Sequence, residues 1–141
     1  NIDGMHQRAG SKNIVELHGS AWRLRCDHCE VVIDDHNPDH YKNWKCDNDH
    51  WLRPDIIWFN DFLIPAITQK ADEIISKSDL FISIGTSGVV WPAAGFPQIA
   101  KSNGATLIEI NPEPSERNDL YDHVFRGKAS DMLNTILGKS K

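Results

Sequence analysis

The chain has 141 residues, 40% of them hydrophobic and 25% charged, with a formal net charge of −5 at neutral pH. That length and balance fit one compact domain with a real core, and the acidic surplus gives no chain-wide attraction to nucleic acid or an anionic membrane surface, so direct nucleic-acid binding is not expected. No apolar run approaches the roughly 20 residues of a membrane-spanning helix and no secretory leader stands out, so the cytoplasm is the expected compartment and no membrane partner is foreseen.

In chain order, residues 3–9 can form a short helix closed by Gly10, and 13–17 alternate with Ile14, Val15 and Leu17 apolar, the pattern of a strand. Residues 22–26 alternate large and basic side chains, as a half-exposed strand does. From Cys26 to about Trp51 the composition turns to Asp, His, Asn, Lys and Cys, too polar a stretch to order itself without a staple. Beyond it, 55–59 (DIIWF) reads as a strand, 65–77 as an amphipathic helix and 80–84 as a central strand. A helix follows Pro92 and stops at Asn103-Gly104. Residues 106–110 form another strand, 124–125 a short extended piece and 130–137 a last helix. Strand and helix alternate from residue 55 onward, which argues an α/β fold: a Rossmann-like parallel sheet with helices on both faces. A small zinc-ribbon-like module is inserted into it. The expected divisions are 1–25 for the start of the main domain, 26–53 for the module and 54–141 for the rest. The chain opens at Asn1 as though already inside a motif, and it reads as a fragment or processed piece.

Three cysteines cannot all pair within the chain, and the spacing Cys26-x2-Cys29 with Cys46 beyond suits metal binding better than a disulfide framework. Thiolate-rich tetrahedral zinc sites are the staple that small polar modules use. The fourth donor is His50, or alternatively Asp49, where a second Cys-x2-Cys would place sulfur. In the opposing reading the module has lost its metal and keeps cysteines as small apolar residues. His28, His36 and His40 read as solvent-facing.

The run GTSGVVWPAAG at 85–95 follows a strand and leads to a helix, the arrangement by which an open α/β sheet turns backbone amides toward phosphate or ribose oxygens. The strand 106–110 brings Asn111-Pro112-Glu113 to the same carboxyl edge. A purely structural turn would need the same small residues, and Asn111 could simply cap the turn after it. Trp58, Phe59 and Trp91 are either core aromatics or the lining of a cleft for aliphatic chains. His18, followed by Gly19-Ser20, stands where backbone can come close to a ligand. It is either a proton acceptor for a hydroxyl or a half-buried histidine donating to a carbonyl.

Together these pieces resemble the sirtuin family of NAD-dependent protein deacylases. Asn1-Ile2-Asp3-Gly4-Met5-His6 is similar to the family's QNIDGLH stretch less its first residue, and Glu16-Leu17-His18-Gly19-Ser20 to its catalytic HG motif. Residues 52–59 (LRPDIIWF) resemble the LRPxVVWFGE substrate segment, and Gly85-Thr86-Ser87 and Asn111-Pro112-Glu113 resemble its cofactor loops. The form of the last two is closest to the bacterial and mitochondrial class that removes acyl groups, succinyl included, from lysine. The resemblance implies NAD as cofactor, zinc in the module and an acylated lysine on a protein as substrate.

It further implies that Asn1, Ile2 and Asp3 bind nicotinamide and its ribose, and that His18 is the catalytic base. Gly85, Thr86, Ser87, Val90, Asn111, Pro112 and Glu113 would hold ribose and phosphate, with Lys128 and Ala129 near the adenine. Ile57, Trp58, Phe59, Asn60 and Asp61 would contact the substrate peptide, as a strand added along residues 60–63. Two departures stand out: WFGE is replaced by Trp58-Phe59-Asn60-Asp61, and four zinc thiolates are reduced to three. The family's GAGxS phosphate loop, its mobile cofactor loop and the residues that select acidic acyl groups would precede Asn1. The 141 residues alone are therefore expected to be inactive and to need that N-terminal segment of the same protein. Mono-ADP-ribosyl transfer, NAD hydrolysis and a non-catalytic zinc-stapled interaction module are the competing functions.

Overall fold

Two strand-rich halves emerge from the pattern above, and a computed structural model describes them over residues 1–34, 42, 44–59 and 61–138. They are compact units of residues Asn1–Lys70 and Ala71–Lys141. His36, His40 and Asn60 lie outside the described residues. Among those described, no helix is long and apolar enough to cross a membrane.

In the first unit β1 (Gly19–Arg25) is the middle strand of an antiparallel sheet, flanked by β2 (Val32–Asp34) and β3 (Arg53–Ile56). Leu24 faces inward between two arginines, as strand alternation dictates, and forms a core with Cys26 and Leu52. Ile33, Trp44, Cys29 and Cys46 pack around it. A four-residue helix, α1 (Met5–Arg8), precedes the sheet and begins where the Asp3 carboxylate accepts the Met5 N–H at 3.0 Å.

Two expectations are corrected here. Residues 13–17 are not a strand: Glu16 is drawn into side-chain bonds with Gln7 and Arg23, and its carbonyl accepts the Gly19 N–H, so the chain turns at Leu17-His18 and β1 begins only at Gly19. The run 55–59 does not belong to the parallel sheet. Its strand covers 53–56 and pairs antiparallel with β1, because a short apolar run carries no information about which neighbour it will join. Beyond Ile56 the chain leaves the sheet in a turn closed by Asp61, whose N–H donates to the Trp58 carbonyl at 3.0 Å and whose carboxylate accepts the Trp58 N–H at 3.3 Å.

Helix α2 (Pro65–Ile75) leads into the second unit, a parallel sheet of β4 (Leu80–Ile84), β5 (Thr106–Ile110) and β6 (His123–Phe125) in that order. Strands β4 and β5 run in step from Leu80 opposite Thr106 to Ile84 opposite Ile110. Between them a single 3-10 turn (Ala93–Gly95) runs into α3 (Phe96–Ser102), which packs on both strands, and Ala100, Ala105 and Leu107 close the core with Ile75, Phe81, Leu120 and Tyr121. Helix α4 (Ala129–Ile136) ends the described chain apart from a final turn. The central place expected for β4 is also corrected. Among the described strands it lies at the edge, and one face carries Leu80, Ile82 and Ile84 at 49%, 44% and 43% exposure, while β5 takes the buried middle place.

Gly19 has φ +78°, and a Cβ on it would stand 2.1 Å from the Asp55 carbonyl oxygen. Gly85 also has a left-handed backbone, φ +63°, but open space around it. Gly19→Ala is therefore expected to cost at least about 3 kcal/mol in urea unfolding, the size of a severe core clash. Gly85→Ala should cost only the roughly 1–2 kcal/mol of left-handed strain.

Candidate functional site

Strand β1 organises the predicted residues of the first unit. The Ala21 N–H donates to the Ile2 carbonyl at 2.9 Å and the Trp22 indole N–H to the Asp3 carbonyl at 2.8 Å, so residues 1–3 are held along the strand. Gly4, with φ +66°, lets the chain turn flat against the Trp22 ring, 3.0 Å from where a Cβ would sit. His18 stands at the entry of the same strand, half-buried, with its carbonyl accepting the Ile57 N–H at 3.0 Å. Burial lowers the imidazole pKa from its ordinary value, which favours the neutral ring that can accept a proton. The glycine beside His18 also has a structural role. The backbone of β3 approaches it closely.

Of the predicted substrate contacts, Ile57 is half-buried next to the His18 carbonyl, while Trp58 and Phe59 are 53% and 90% exposed and Asp61 closes the turn. These aromatics and Trp91, 66% exposed, are not core residues. Phe62, 95% exposed, extends the same apolar loop. It falls within the range 60–63 expected to pair with the substrate peptide.

In the second unit, parallel register puts the carboxyl ends of β4 and β5 side by side, and the Gly85 N–H donates to the Ile110 carbonyl at 3.0 Å. The two loops that leave this edge form an open concavity of about 350 Å³ lined by Gly85, Thr86, Ser87, Asn111 and Glu113, with Val89, Pro114 and Glu116. The Asn111 side chain donates to the Thr86 carbonyl at 2.7 Å and the Glu116 N–H to the Ser87 carbonyl at 2.9 Å, which fixes one wall against the other. Val90 and Pro112 are not among the lining residues, and Lys128 and Ala129 stand at the start of α4. Glu116 was missed because only the folded return of the chain after Pro114 brings it back to the loop of Ser87. The helix expected after Pro92 is found, opening with the 3-10 turn Ala93–Gly95 and continuing as α3 from Phe96, so the Gly85 turn is not itself a helix N-terminus. Hydroxyls, a carboxamide and carboxylates without a lining cation suit the hydroxyl groups of a ribose, and to that extent the residues fit a dinucleotide.

A buried carboxylate holds the outer wall in place. Glu109, 1% exposed, accepts from Arg126 Nη1 at 2.6 Å and from the Ser115 hydroxyl. The same guanidinium donates to Asn118 Oδ1 and, at 3.4 Å, to the carbonyls of Asn111 and Glu113. One charge pair thus clamps the segment 111–118 along its length.

The structure gathers Cys26, Cys29, Cys46 and His50, with one ligand atom from each and all four atoms within 4.8 Å of one another. A tetrahedral zinc with Zn–S bonds of about 2.3 Å sets its sulfurs about 3.8 Å apart. Cys29 Sγ and Cys46 Sγ are 3.8 Å apart, and His50 Nδ1 is 3.1 Å from Cys29 Sγ. The donor set fits zinc. Asp49 is left out: its left-handed backbone, φ +61°, turns the chain so that its carboxylate points to Lys45 at 3.3 Å, 89% exposed. His28 is exposed, with its ring 4.8 Å from that of His50.

Comparison with known proteins agrees with these features. The model of the Sir2 family matches residues 1–92. A relative from Pyrobaculum aerophilum, NAD-dependent protein deacylase 2, is 44% identical over the whole of this chain and 57% of its own length. The NAD-dependent protein deacylase of Aquifex aeolicus is 41% identical over 96% of this chain and 58% of its own. The solved structure of a Sir2 homologue in complex with NAD superposes with a TM-score of 0.91 at 36% identity, covering 98% of this chain and 55% of that one. The chain belongs to the Sir2 family, the sirtuins. It is an α/β protein of that family with a Cys3His cluster suited to zinc, and it spans little more than half the length of these relatives.

Two outcomes follow from the geometry. Metal analysis of the purified chain should find one zinc per chain, and His50→Ala should weaken it by about a hundredfold or more, because a tetrahedral site loses a quarter of its ligands. Arg126→Ala leaves the Glu109 carboxylate buried without its cation and should destabilise the fold by about 3–5 kcal/mol in denaturant titration.

Proposed function

We propose that this chain carries the base-bearing and adenosine-binding parts of an NAD-dependent protein-lysine deacylase that releases nicotinamide and an O-acyl-ADP-ribose. The observation that supports it most is the half-buried imidazole of His18, its pKa lowered by burial, at the head of the strand that also holds residues 1–3. A protein substrate is in keeping with a Sir2–p53 peptide–NAD+ structure, which superposes with a TM-score of 0.87 at 28% identity. When bound, NAD supplies an electrophilic ribose carbon and the hydroxyls that take over the acyl group. In this reading Asn1 and Asp3 orient the nicotinamide end, while Thr86, Ser87 and Asn111 hold the far ribose. The Ile57 carbonyl accepts the N–H of the acyl-lysine, and Trp58, Phe59, Asn60 and Asp61 border the peptide. His18 Nε2 takes the proton from a ribose hydroxyl as that oxygen attacks the acyl carbon, which a neutral ring can do and an imidazolium cannot. Zinc, held by three thiolates and His50, braces the module. Three cysteines gathered as metal donors fit a reducing compartment, and the cytoplasm is the one we propose.

The exposed apolar face and unpaired edge of β4 support a further part of the proposal, that an N-terminal segment of the same protein completes the sheet. The 141 residues alone should then show no turnover of an acyl-peptide with NAD. Turnover by this piece at rates typical of enzymes would overturn that part.

Mass spectrometry of an acetyl- or succinyl-lysine peptide incubated with NAD and the complete protein decides the function. Loss of the acyl mass is expected; a gain of ADP-ribose on the peptide would point to transferase chemistry instead. His18→Tyr should abolish nearly all turnover. A base whose pKa is lowered stays neutral further into acid, so the acid limb of kcat/KM should fall at a pH below the ordinary histidine value of about 6.5. A limb at or above that value would count against His18.

A further inference from the structure

Strand β1 does not pair regularly with β3. Ser20 stands opposite Asp55 and Leu24 opposite Pro54, so Ala21, Trp22 and Arg23 have no counterparts on β3. Such bulges re-aim side chains, and here all three residues reach toward the pieces of the proposed site. Ala21 and Trp22 take the carbonyls of Ile2 and Asp3. Arg23 donates from Nε to Asp55 Oδ2 at 2.9 Å and from Nη1 to Glu16 Oε2, while Glu16 Oε1 accepts from Gln7 Nε2 at 2.5 Å. The side chains of Arg23, Glu16 and Asp55 are only 20%, 14% and 17% exposed, so water screens these pairs weakly.

Glu16 lies two residues before His18, and Asp55 two residues before Ile57. Among the described residues, those two segments are joined beyond the strand pairing by the bond from the Ile57 N–H to the His18 carbonyl. We infer that Arg23 is a positioning residue: its guanidinium fixes the His18 turn against the Ile57 segment, with Gln7 tying α1 to the same point through Glu16. It touches no reacting atom in the proposed chemistry and acts through the two residues it spaces. Only a planar fork reaches two carboxylates from opposite sides at once, so lysine cannot replace it. Arg25, one register further, contacts Asp27 at 2.9 Å and Asp55 at 3.6 Å but not Glu16, which makes it the internal control.

The catalytic meaning of this link rests on the function proposed above, and the test separates the two. In amide hydrogen exchange of this chain followed by NMR, Arg23→Lys should speed exchange at Ile57 about tenfold or more while Cys26 stays within about twofold; Arg25→Lys should change neither. In the complete protein, Arg23→Lys should lower kcat for deacylation about tenfold and leave the KM for NAD within about twofold. Glu16→Gln should give the same loss, and the double variant no further loss, because both remove one link. Glu16→Gln also keeps the Arg23–Asp55 pair and replaces Arg23→Lys as the probe if that variant fails to fold. Unchanged Ile57 exchange, or additive losses in kcat, overturns the inference. If the wild-type protein shows no deacylation while Ile57 exchange still depends on Arg23, the function fails and the positioning role stands. If it deacylates while that exchange is independent of Arg23, the function stands and the positioning role fails.

Discussion

The approach of β1 to β3 at Gly19 sets the first unit. With the Asp55 carbonyl 2.1 Å from where a side chain would begin, only glycine lets the two backbones meet there, and it must do so at φ +78°. The residue before that meeting point is His18, whose carbonyl is then within reach of the Ile57 N–H. Past Ser20 the strands fall out of step, and the three unopposed residues turn to Ile2, Asp3, Glu16 and Asp55. His18, residues 1–3 and the Ile57 segment are thus hung on one strand, by backbone geometry together with the side chains of Trp22 and Arg23.

In the second unit the governing constraint is a charge. A strand in the middle of a parallel sheet is covered on both faces, so a carboxylate on it has to be paired within the protein. Glu109 on β5 is met by Arg126 and Ser115, and the guanidinium that neutralises it also gathers Asn118 and two carbonyls of the segment 111–118. That segment buries little apolar area: Pro112, Glu113, Pro114 and Glu116 are all exposed. Its order comes from the charge pair beneath it, which leaves its outward groups uncommitted and able to meet a ligand.

How much of this could be read from residues alone follows from which forces are local. Strands β4 and β5 are legible to the residue, because five-residue apolar runs bounded by turn formers have few alternatives, and the stop at Asn103-Gly104 is a local matter of left-handed backbone. The zinc donors were legible because ligand spacing is short-range, and His50 over Asp49 follows once the turn at Asp49 is known. The strand expected over 13–17 was misread because alternation in that stretch is overridden by Glu16, whose partners Gln7 and Arg23 lie seven to nine residues away. The sheet to which residues 53–56 belong depends on Gly19, more than thirty residues earlier. Arg23 read as one half of an alternating pattern with Arg25, and nothing in that pattern distinguishes the guanidinium that joins two loops from the one that decorates a strand.

The Cys3His cluster and His18 sit at opposite ends of the same strand, and the donor count says what the cluster can do. Cys26 is at once a member of the donor set suited to zinc and, with Leu24 and Leu52, one of the three buried residues of the first unit's hydrophobic cluster. So small a cluster gives little cohesion by itself, so closing the metal site and packing this core are one event. Four protein donors complete a tetrahedron and leave no position for a substrate or a water, which is the signature of a structural site and not of a catalytic one. The proposed chemistry of this unit therefore belongs at its other end, where His18 is held by the Gly19 approach, the Ile57 bond and the Glu16–Arg23–Asp55 chain rather than by the cysteine cluster.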